Sequence, residues 1–95
     1  MDFIKTDIDG VYIIKPRVIK DSRGYFFEAF SEREFRENVH DIKFVQENES
    51  LSKRNVVRGL HFQKAPYSQG KLIRVVKGRV LDVAVDIRKG SPTFG

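Results

Sequence analysis

Short runs in which apolar and polar residues alternate, separated by turn-forming residues, follow one another along most of the chain. This period of two is typical of β-strands, whose successive side chains point to opposite faces of a sheet. Pro16 interrupts the first run, as expected at an edge strand or a bulge, and DSRG (21–24) is a turn by residue type. The pattern predicts a mostly β fold with antiparallel neighbours. We interpret six runs as strands: VYIIKPRVIK (11–20), YFFEAF (25–30), FVQEN (44–48), VVRGLHFQ (56–63), KLIRVV (71–76) and RVLDVAVDI (79–87).

One segment departs from this alternation and predicts a short helix. SEREFREN (31–38) opens with Ser31, a favourable N-cap residue, and Glu34 follows at the spacing of a capping box. Further along, Lys77 and Gly78 separate two strand-like runs by two residues and predict a hairpin turn. We therefore expect one helix among hairpin-linked strands.

The last predicted strand has two chemically different faces. A small antiparallel β domain with polar groups on one strand face suggests a barrel or sandwich that holds a ligand in its mouth. Only RKGSPTFG (88–95) follows this strand, which leaves its edge uncovered. Either a partner pairs with this edge or the chain is the front part of a longer protein, and we favour the second interpretation. The face expected in the core carries Leu81, Val83, Val85 and Ile87, and the polar face carries Asp82, Ala84 and Asp86.

The composition bounds the class of protein. Ninety-five residues with 40% hydrophobic and 33% charged side chains are typical of one globular domain. Because there is no cysteine, disulfides, thiolate metal sites and cysteine nucleophiles are excluded. Neither a signal-peptide-like segment nor a run of about 20 apolar residues occurs, so we expect a cytoplasmic protein with no membrane partner.

The net charge of +5 is concentrated in one part of the chain, since residues 49–79 contain eight Lys or Arg residues and one Glu. Such a segment is either a solvated basic face or a site for an anion, which could be nucleic acid, a nucleotide or a phosphorylated metabolite. The aromatic residues cluster in YFFEAF beside Glu28 and not among the basic residues, so no platform for stacking bases is evident. We therefore do not expect nucleic acid as a partner.

The run RGLHFQ (58–63) carries more polar groups than a buried strand tolerates without partners. His61 is either a structural histidine or a general base, because imidazole titrates near neutral pH. A base needs a group that orients its second ring nitrogen, and Asp82 and Asp86 are the candidates. Lys71, in QGKL, is either a surface lysine or a positive charge beside a developing oxyanion. His40 lies in a polar loop, and we assign it no function.

Two arginines have the planar geometry that suits phosphate oxygens, Arg23 and Arg58. Strict alternation places Arg58 and His61 on opposite faces, so both can serve one ligand only if a bulge at Gly59 rotates the strand. Two histidines, one of them in a loop, are too few for a converging metal site. We expect neither a metal nor another cofactor.

Three blocks of the sequence follow one another in this order: DSRGYFFEAF, FVQENESLSKRNVVRGLHFQ and QGKLIRVVKGRVLDVAVDIRKGSPTFG. Together they resemble the dTDP-4-dehydrorhamnose 3,5-epimerases, sugar-nucleotide enzymes with a cupin-like jelly-roll β fold. The resemblance spans nearly all of residues 12–95 and implies that residues 1–95 are the N-terminal part of a single cupin-like epimerase domain, with an incomplete barrel in this chain.

The resemblance also implies roles for individual residues. His61 matches the base that removes protons from C3 and C5 of a dTDP-4-keto-6-deoxy sugar, and Lys71 matches the lysine near the keto oxygen. Arg58 matches the arginine that holds phosphate oxygens. Contacts to the nucleotide are implied for Arg23, Phe26 and Glu28, which reach it across a homodimer interface with exchanged N-terminal strands. Contacts to the substrate are implied for three residues of FVQEN, namely Gln46, Glu47 and Asn48.

Chains of this family are considerably longer, and their second half supplies an opposing tyrosine acid, a further histidine and a carboxylate paired with the base. We therefore expect residues 1–95 alone to be a poor epimerase or inactive. Two alternatives remain open at this point. One is a catalytically silent nucleotide-sugar-binding or assembly module, and the other is a related dTDP-sugar epimerase or isomerase.

Overall fold

The computed structural model describes all residues, 1–95, as two compact units. One unit consists of residues 1–42 and 79–95, and the other of residues 43–78. The regular structure is mostly β, as predicted, but the strands form two separate two-stranded antiparallel sheets and no closed barrel. The helix is too short and too polar for any membrane span to be assigned to it. In chain order the elements are β1 (Asp2–Lys5), β2 (Tyr12–Lys15), β3 (Ile19–Asp21), β4 (Gly24–Phe26) and α1 (Glu32–Asn38).

Strands β1 and β2 form an antiparallel pair in which Phe3 lies opposite Ile14. The connection between them is held by Thr6, whose Oγ1 donates to the carbonyl oxygen of Val11 at 2.8 Å and accepts from the amide of Ile8 at 3.2 Å. A threonine hydroxyl that satisfies neighbouring backbone groups stabilises a turn in this way. The connection is therefore fixed by local hydrogen bonds.

Strands β3 and β4 form the second pair, with Lys20 opposite Tyr25 and Asp21 opposite Gly24. The prediction that Pro16 breaks the first run is confirmed, because β2 ends at Lys15 and β3 begins at Ile19. The turn predicted at residues 21–24 is confirmed as well, and Gly24 adopts a φ of 138° that few other residues tolerate. Of YFFEAF, only residues 25 and 26 are in a strand.

The predicted helix is confirmed as α1, with Ser31 as its N-cap. Oγ of Ser31 accepts a hydrogen bond from the amide of Glu34 at 3.3 Å. Phe35 on this helix is the buried apolar residue of the chain, 5% exposed. Its ring meets Phe3 edge-on at 5.4 Å and Phe30 at 5.1 Å between centroids. This aromatic cluster is the core of the first unit.

The strands predicted at residues 44–48, 56–63, 71–76 and 79–87 are wrong, because none of these segments is paired as a strand. Residues 76–78 bend, and Gly78 has a φ of 90°, but the expected hairpin is not formed. Alternation indicates which side of a strand would be buried, yet a strand also requires hydrogen bonds from a neighbour. Residues 1–95 contain no strand paired with these segments.

Residues 79–87 also reverse the burial that their pattern predicts. The four residues expected in the core are exposed, Leu81 by 90%, whereas Asp86 is 5% exposed. The carboxylate is buried because the segment after it folds back and donates to it, and the amide of Gly95 donates to the Asp86 carbonyl at 2.7 Å. The expectation of an apolar inner face is wrong, since no sheet partner covers it.

Candidate active site

Within residues 43–78, a hollow of about 270 Å³ contains both residues predicted to carry the proton chemistry. His61 and Lys71 are on its wall, so the sequence prediction that they serve one site is compatible with their placement. The other lining residues offer amide, hydroxyl and aromatic groups. They are Phe62, Gln63, Ser68 and Gln69.

A turn between the two residues explains how they come together. The amide of Tyr67 donates to the carbonyl oxygen of Lys64 at 2.9 Å, and this bond reverses the chain. Residues on both sides of the turn, Gln63 before it and Ser68 after it, line the hollow. The local turn therefore places an imidazole and an ammonium group on the wall of one hollow although ten positions separate them.

A second hollow of about 480 Å³ adjoins the first and contains Gln46. Gln63, Ser68 and Gln69 line both hollows, so these three residues separate the space beside His61 from the space beside Gln46. An amide side chain both donates and accepts hydrogen bonds, which suits sugar hydroxyls. The remaining lining residues are Lys43, Phe44, Val45, Pro66, Tyr67 and Gly70.

Arg58 is exposed, and its guanidinium is hydrogen-bonded to the chain before it. Nε donates to Oγ of Ser52 at 2.9 Å, and Nη2 donates to the carbonyl oxygen of Leu51 at 3.3 Å. The bulge predicted at Gly59 is not formed, because a bulge requires a strand ladder and this segment has none. For the same reason, the strict alternation that would place Arg58 and His61 on opposite faces does not apply here. Gly59 instead has a φ of 124°, a conformation that glycine adopts most readily.

Three of the predicted substrate contacts lie in or just after the β3–β4 hairpin, in the first unit, with Arg23 in the turn and Phe26 at the opposite, open end. Arg23 donates from Nη2 to Oδ2 of Asp21 at 2.7 Å, and this bond lowers the pKa of the Asp21 carboxyl. Phe26 is 69% exposed at the end of β4. Glu28 is exposed just beyond it. The hairpin and the residues just after it therefore expose a cation, an aromatic ring and a carboxylate.

Three further predicted residues line neither hollow. Glu47 and Asn48 are exposed in the second unit, and Asp82 is exposed in the first. Asp86, the other suggested partner of His61, is unavailable for that role because its carboxylate accepts from Arg88 and from two hydroxyl groups. The contacts of Asp86 therefore favour a structural role for this carboxylate, held by the turn that follows residue 86, over the role of orienting His61.

Sequence reasoning did not identify Gln63, Ser68 and Gln69 as lining residues, nor Ser52 as a partner of Arg58. For Gln63 a signal existed, since it ends the polar run RGLHFQ that contains His61. Ser68 and Gln69 lie between two recognised motifs, and only the turn at residues 64–67 shows that they line the hollows. No group of three or more His, Cys, Asp or Glu side chains is arranged to hold a metal ion.

Comparison with known proteins connects these features to one family. The model of the family described as dTDP-4-dehydrorhamnose 3,5-epimerase matches residues 5–95. A protein of that name from Methanothermobacter thermautotrophicus is 57% identical over 98% of this chain and 50% of its own length. Those from Shigella flexneri and Salmonella typhimurium are 55% and 54% identical over the whole of this chain and 53% and 52% of their own lengths.

The chain thus spans about half the length of the curated relatives that it matches. Both His61 and Lys71, and all of the second unit, fall within the matched residues. This chain belongs to the dTDP-4-dehydrorhamnose 3,5-epimerase family.

Proposed function

We propose that this chain supplies the proton-abstracting part of a dTDP-4-dehydrorhamnose 3,5-epimerase active site. The observation that carries the proposal is the hollow shared by His61 and Lys71 in a chain of this family. The substrate is a dTDP-linked 4-keto-6-deoxy sugar, in which C3 and C5 both flank the keto carbon.

The two residues have complementary roles in this chemistry. The neutral imidazole of His61 takes the proton from C3 or C5, and the electron pair of that C–H bond becomes the carbon–carbon double bond of an enolate. Negative charge then develops on the keto oxygen, where the ammonium group of Lys71 stabilises it. Return of a proton to the opposite face of the carbon inverts its configuration. The carboxylate that orients His61 is proposed to be either Asp82 or, as the family resemblance implies, one supplied by the second half of the longer chains.

The anionic part of the substrate requires cations and hydrogen-bond donors. Arg58 is proposed to hold the pyrophosphate, because a guanidinium matches pairs of phosphate oxygens. Seven of the eight basic residues between 49 and 79 lie in the second unit and support an anionic ligand there. The other proposed contacts are Gln46, Glu47 and Asn48 to the substrate, and Arg23, Phe26 and Glu28 to the nucleotide.

We further propose a cytoplasmic homodimer in which N-terminal strands are exchanged and a cupin-like jelly roll is completed. The unpaired outer edges of β1 and β2, which pair only with each other, support the exchange of strands. The exposed apolar residues at 79–87 support a completed barrel, since burial against another sheet would cover them.

Solvent deuterium uptake tests the proposal directly. The purified chain is incubated in D₂O with dTDP-4-keto-6-deoxyglucose, and deuterium at C3 and C5 is followed together with the configuration of the product. We expect slow exchange at one or both carbons and little net inversion, because inversion also needs an acid on the opposite face. The relative from Salmonella typhimurium serves as the positive control.

Two variants make the result specific. His61→Asn is expected to abolish exchange while dTDP binding persists, and His40→Asn, which changes the exposed loop histidine, is expected to leave exchange unaltered. Binding of dTDP without exchange in either the unaltered chain or His61→Asn would support a silent binding module instead. Complete turnover by the unaltered chain would contradict the proposal that the opposing acid lies outside residues 1–95.

A further inference from the structure

The segment from Leu51 to Arg58 is closed on itself by the guanidinium of Arg58. Nε donates to the Ser52 hydroxyl at 2.9 Å, a distance typical of a well-formed hydrogen bond. Nη2 donates to the Leu51 carbonyl at 3.3 Å. One edge of the guanidinium, formed by Nε and Nη2, is therefore bonded to two consecutive residues.

A backbone turn explains how side chains six positions apart meet. The amide of Val56 donates to the carbonyl oxygen of Lys53 at 3.3 Å, and Asn55 has a φ of 66°. Asparagine is among the few residues other than glycine that visit this left-handed region readily. The turn reverses the chain between Ser52 and Arg58 and allows their side chains to bond.

These two bonds determine where the rest of the guanidinium points. The group is planar and has five N–H donors in fixed directions, of which the two bonds use two. Holding Nε and Nη2 therefore sets the directions of the remaining three donors. The end edge, formed by the two terminal nitrogens, has the spacing of two phosphate oxygens.

We propose that Ser52 is a positioning residue that orients Arg58 for the pyrophosphate of a nucleoside diphosphate. This inference rests on the proposed function, which assigns Arg58 to phosphate. An exposed arginine loses much rotamer freedom when it binds a ligand, and a partner that holds it beforehand reduces that cost. Lys53 and Arg54, in the same turn, add positive potential around the anion.

Binding of dTDP to four variants of the chain tests this proposal by isothermal titration calorimetry. Ser52→Ala removes the acceptor for Nε, and we expect Kd to rise about three- to tenfold, which corresponds to one hydrogen bond. Ser52→Thr keeps the hydroxyl and is expected to restore Kd to within about twofold. Ser50→Ala alters an exposed serine nearby and is expected to leave Kd unchanged. Arg58→Ala removes the phosphate contact itself and is expected to weaken binding more than Ser52→Ala.

A second measurement tests the positioning without any ligand. Hydrogen exchange at Nε of Arg58, followed by ¹⁵N NMR, is expected to quicken in Ser52→Ala and to remain slow in Ser52→Thr and Ser50→Ala. If Ser52→Ala only lowered the overall stability of the chain, exchange would quicken at many N–H groups and not at Nε of Arg58 alone.

The outcomes distinguish failure of the positioning role of Ser52 from failure of the phosphate assignment of Arg58. If Arg58→Ala weakens dTDP binding and Ser52→Ala does not, the positioning role is overturned while the role of Arg58 stands. If the unaltered chain does not bind dTDP, or Arg58→Ala binds as well as the unaltered chain, the phosphate assignment fails and this inference fails with it. Unchanged exchange at Nε in Ser52→Ala would overturn the hydrogen bond on which the inference depends.

Discussion

Arg88 and Asp86 form a two-pronged ion pair, in which Nε of Arg88 donates to Oδ1 of Asp86 at 2.9 Å and Nη2 donates to Oδ2 at 3.1 Å. The hydroxyls of Ser91 and Thr93 donate to Oδ2 as well. With the amide of Arg88, the carboxylate accepts five hydrogen bonds. This explains how a charged side chain that is 1% exposed can remain ionised.

The same contacts predict a pH dependence. Hydrogen bonds from Arg88, and then from Ser91 and Thr93, hold the pKa of Asp86 well below its ordinary value. A carboxyl whose pKa is lower in the folded chain stabilises it above the unfolded pKa, near 3.9, and this contribution is lost as pH falls toward the folded pKa. We expect Asp86→Asn to lower the urea midpoint at pH 7, and the difference from the unaltered chain to shrink below about pH 4.

Asp82→Asn is the matched control for this experiment, because Asp82 is exposed on the same segment and is expected to change the urea midpoint little. A carboxyl ¹³C titration gives an independent measure of the Asp86 pKa. A midpoint near 4 for Asp86 would show that the five hydrogen bonds do not favour its ionised form.

The left-handed backbone at Asn55 gives a second prediction. Asn55→Val is expected to destabilise the turn by about 1–2 kcal/mol, because a β-branched side chain is strained at a φ of 66°. Asn55→Gly is expected to be tolerated, since glycine adopts this conformation without that strain. Amide hydrogen exchange at Val56 measures the opening of the turn. Equal protection of Val56 in both variants would contradict the role of Asn55.

The N-cap of α1 gives a third prediction. Ser31→Ala removes the acceptor for the Glu34 amide and is expected to lower the free energy of unfolding by about 1 kcal/mol. Ser31→Asp retains an acceptor and is expected to keep most of that stability. Urea unfolding followed by circular dichroism measures both. If Ser31→Ala and Ser31→Asp unfold at the same urea concentration, the cap contributes nothing measurable.

The proposed role of Lys71 gives a fourth prediction. Lys71→Met removes the positive charge but retains a flexible chain of similar length, so we expect deuterium uptake at C3 and C5 to slow roughly 100-fold or more. Binding of dTDP, measured by calorimetry, is expected to change little, because Lys71 is assigned to the keto oxygen. Lys77→Met alters a lysine that lines neither hollow and is the control. Comparable loss of uptake in Lys77→Met would point to a general effect of charge.

Part of the candidate site could be predicted from the sequence, because its residues are of recognisable chemical types and occur in a recognisable order along the chain. His61 and Lys71 were identified as candidates from RGLHFQ and QGKL, and they line one hollow. The predicted bulge at Gly59 failed because it presupposed a strand. Ser52 was overlooked, since a serine followed by basic residues has no distinctive pattern until the turn at Asn55 places it beside Arg58.

By itself, the sequence determined the features that depend on hydrogen bonds between near neighbours. The turn before Gly24 and the cap at Ser31 are of this kind, because each is satisfied within a few residues. The break at Pro16 is local as well, since proline has no backbone N–H to donate to a neighbouring strand. Only the tertiary structure decided that Leu81 is exposed and Asp86 buried. Burial depends on which segments supply a covering surface or a set of donors, and alternation along a strand does not contain that information.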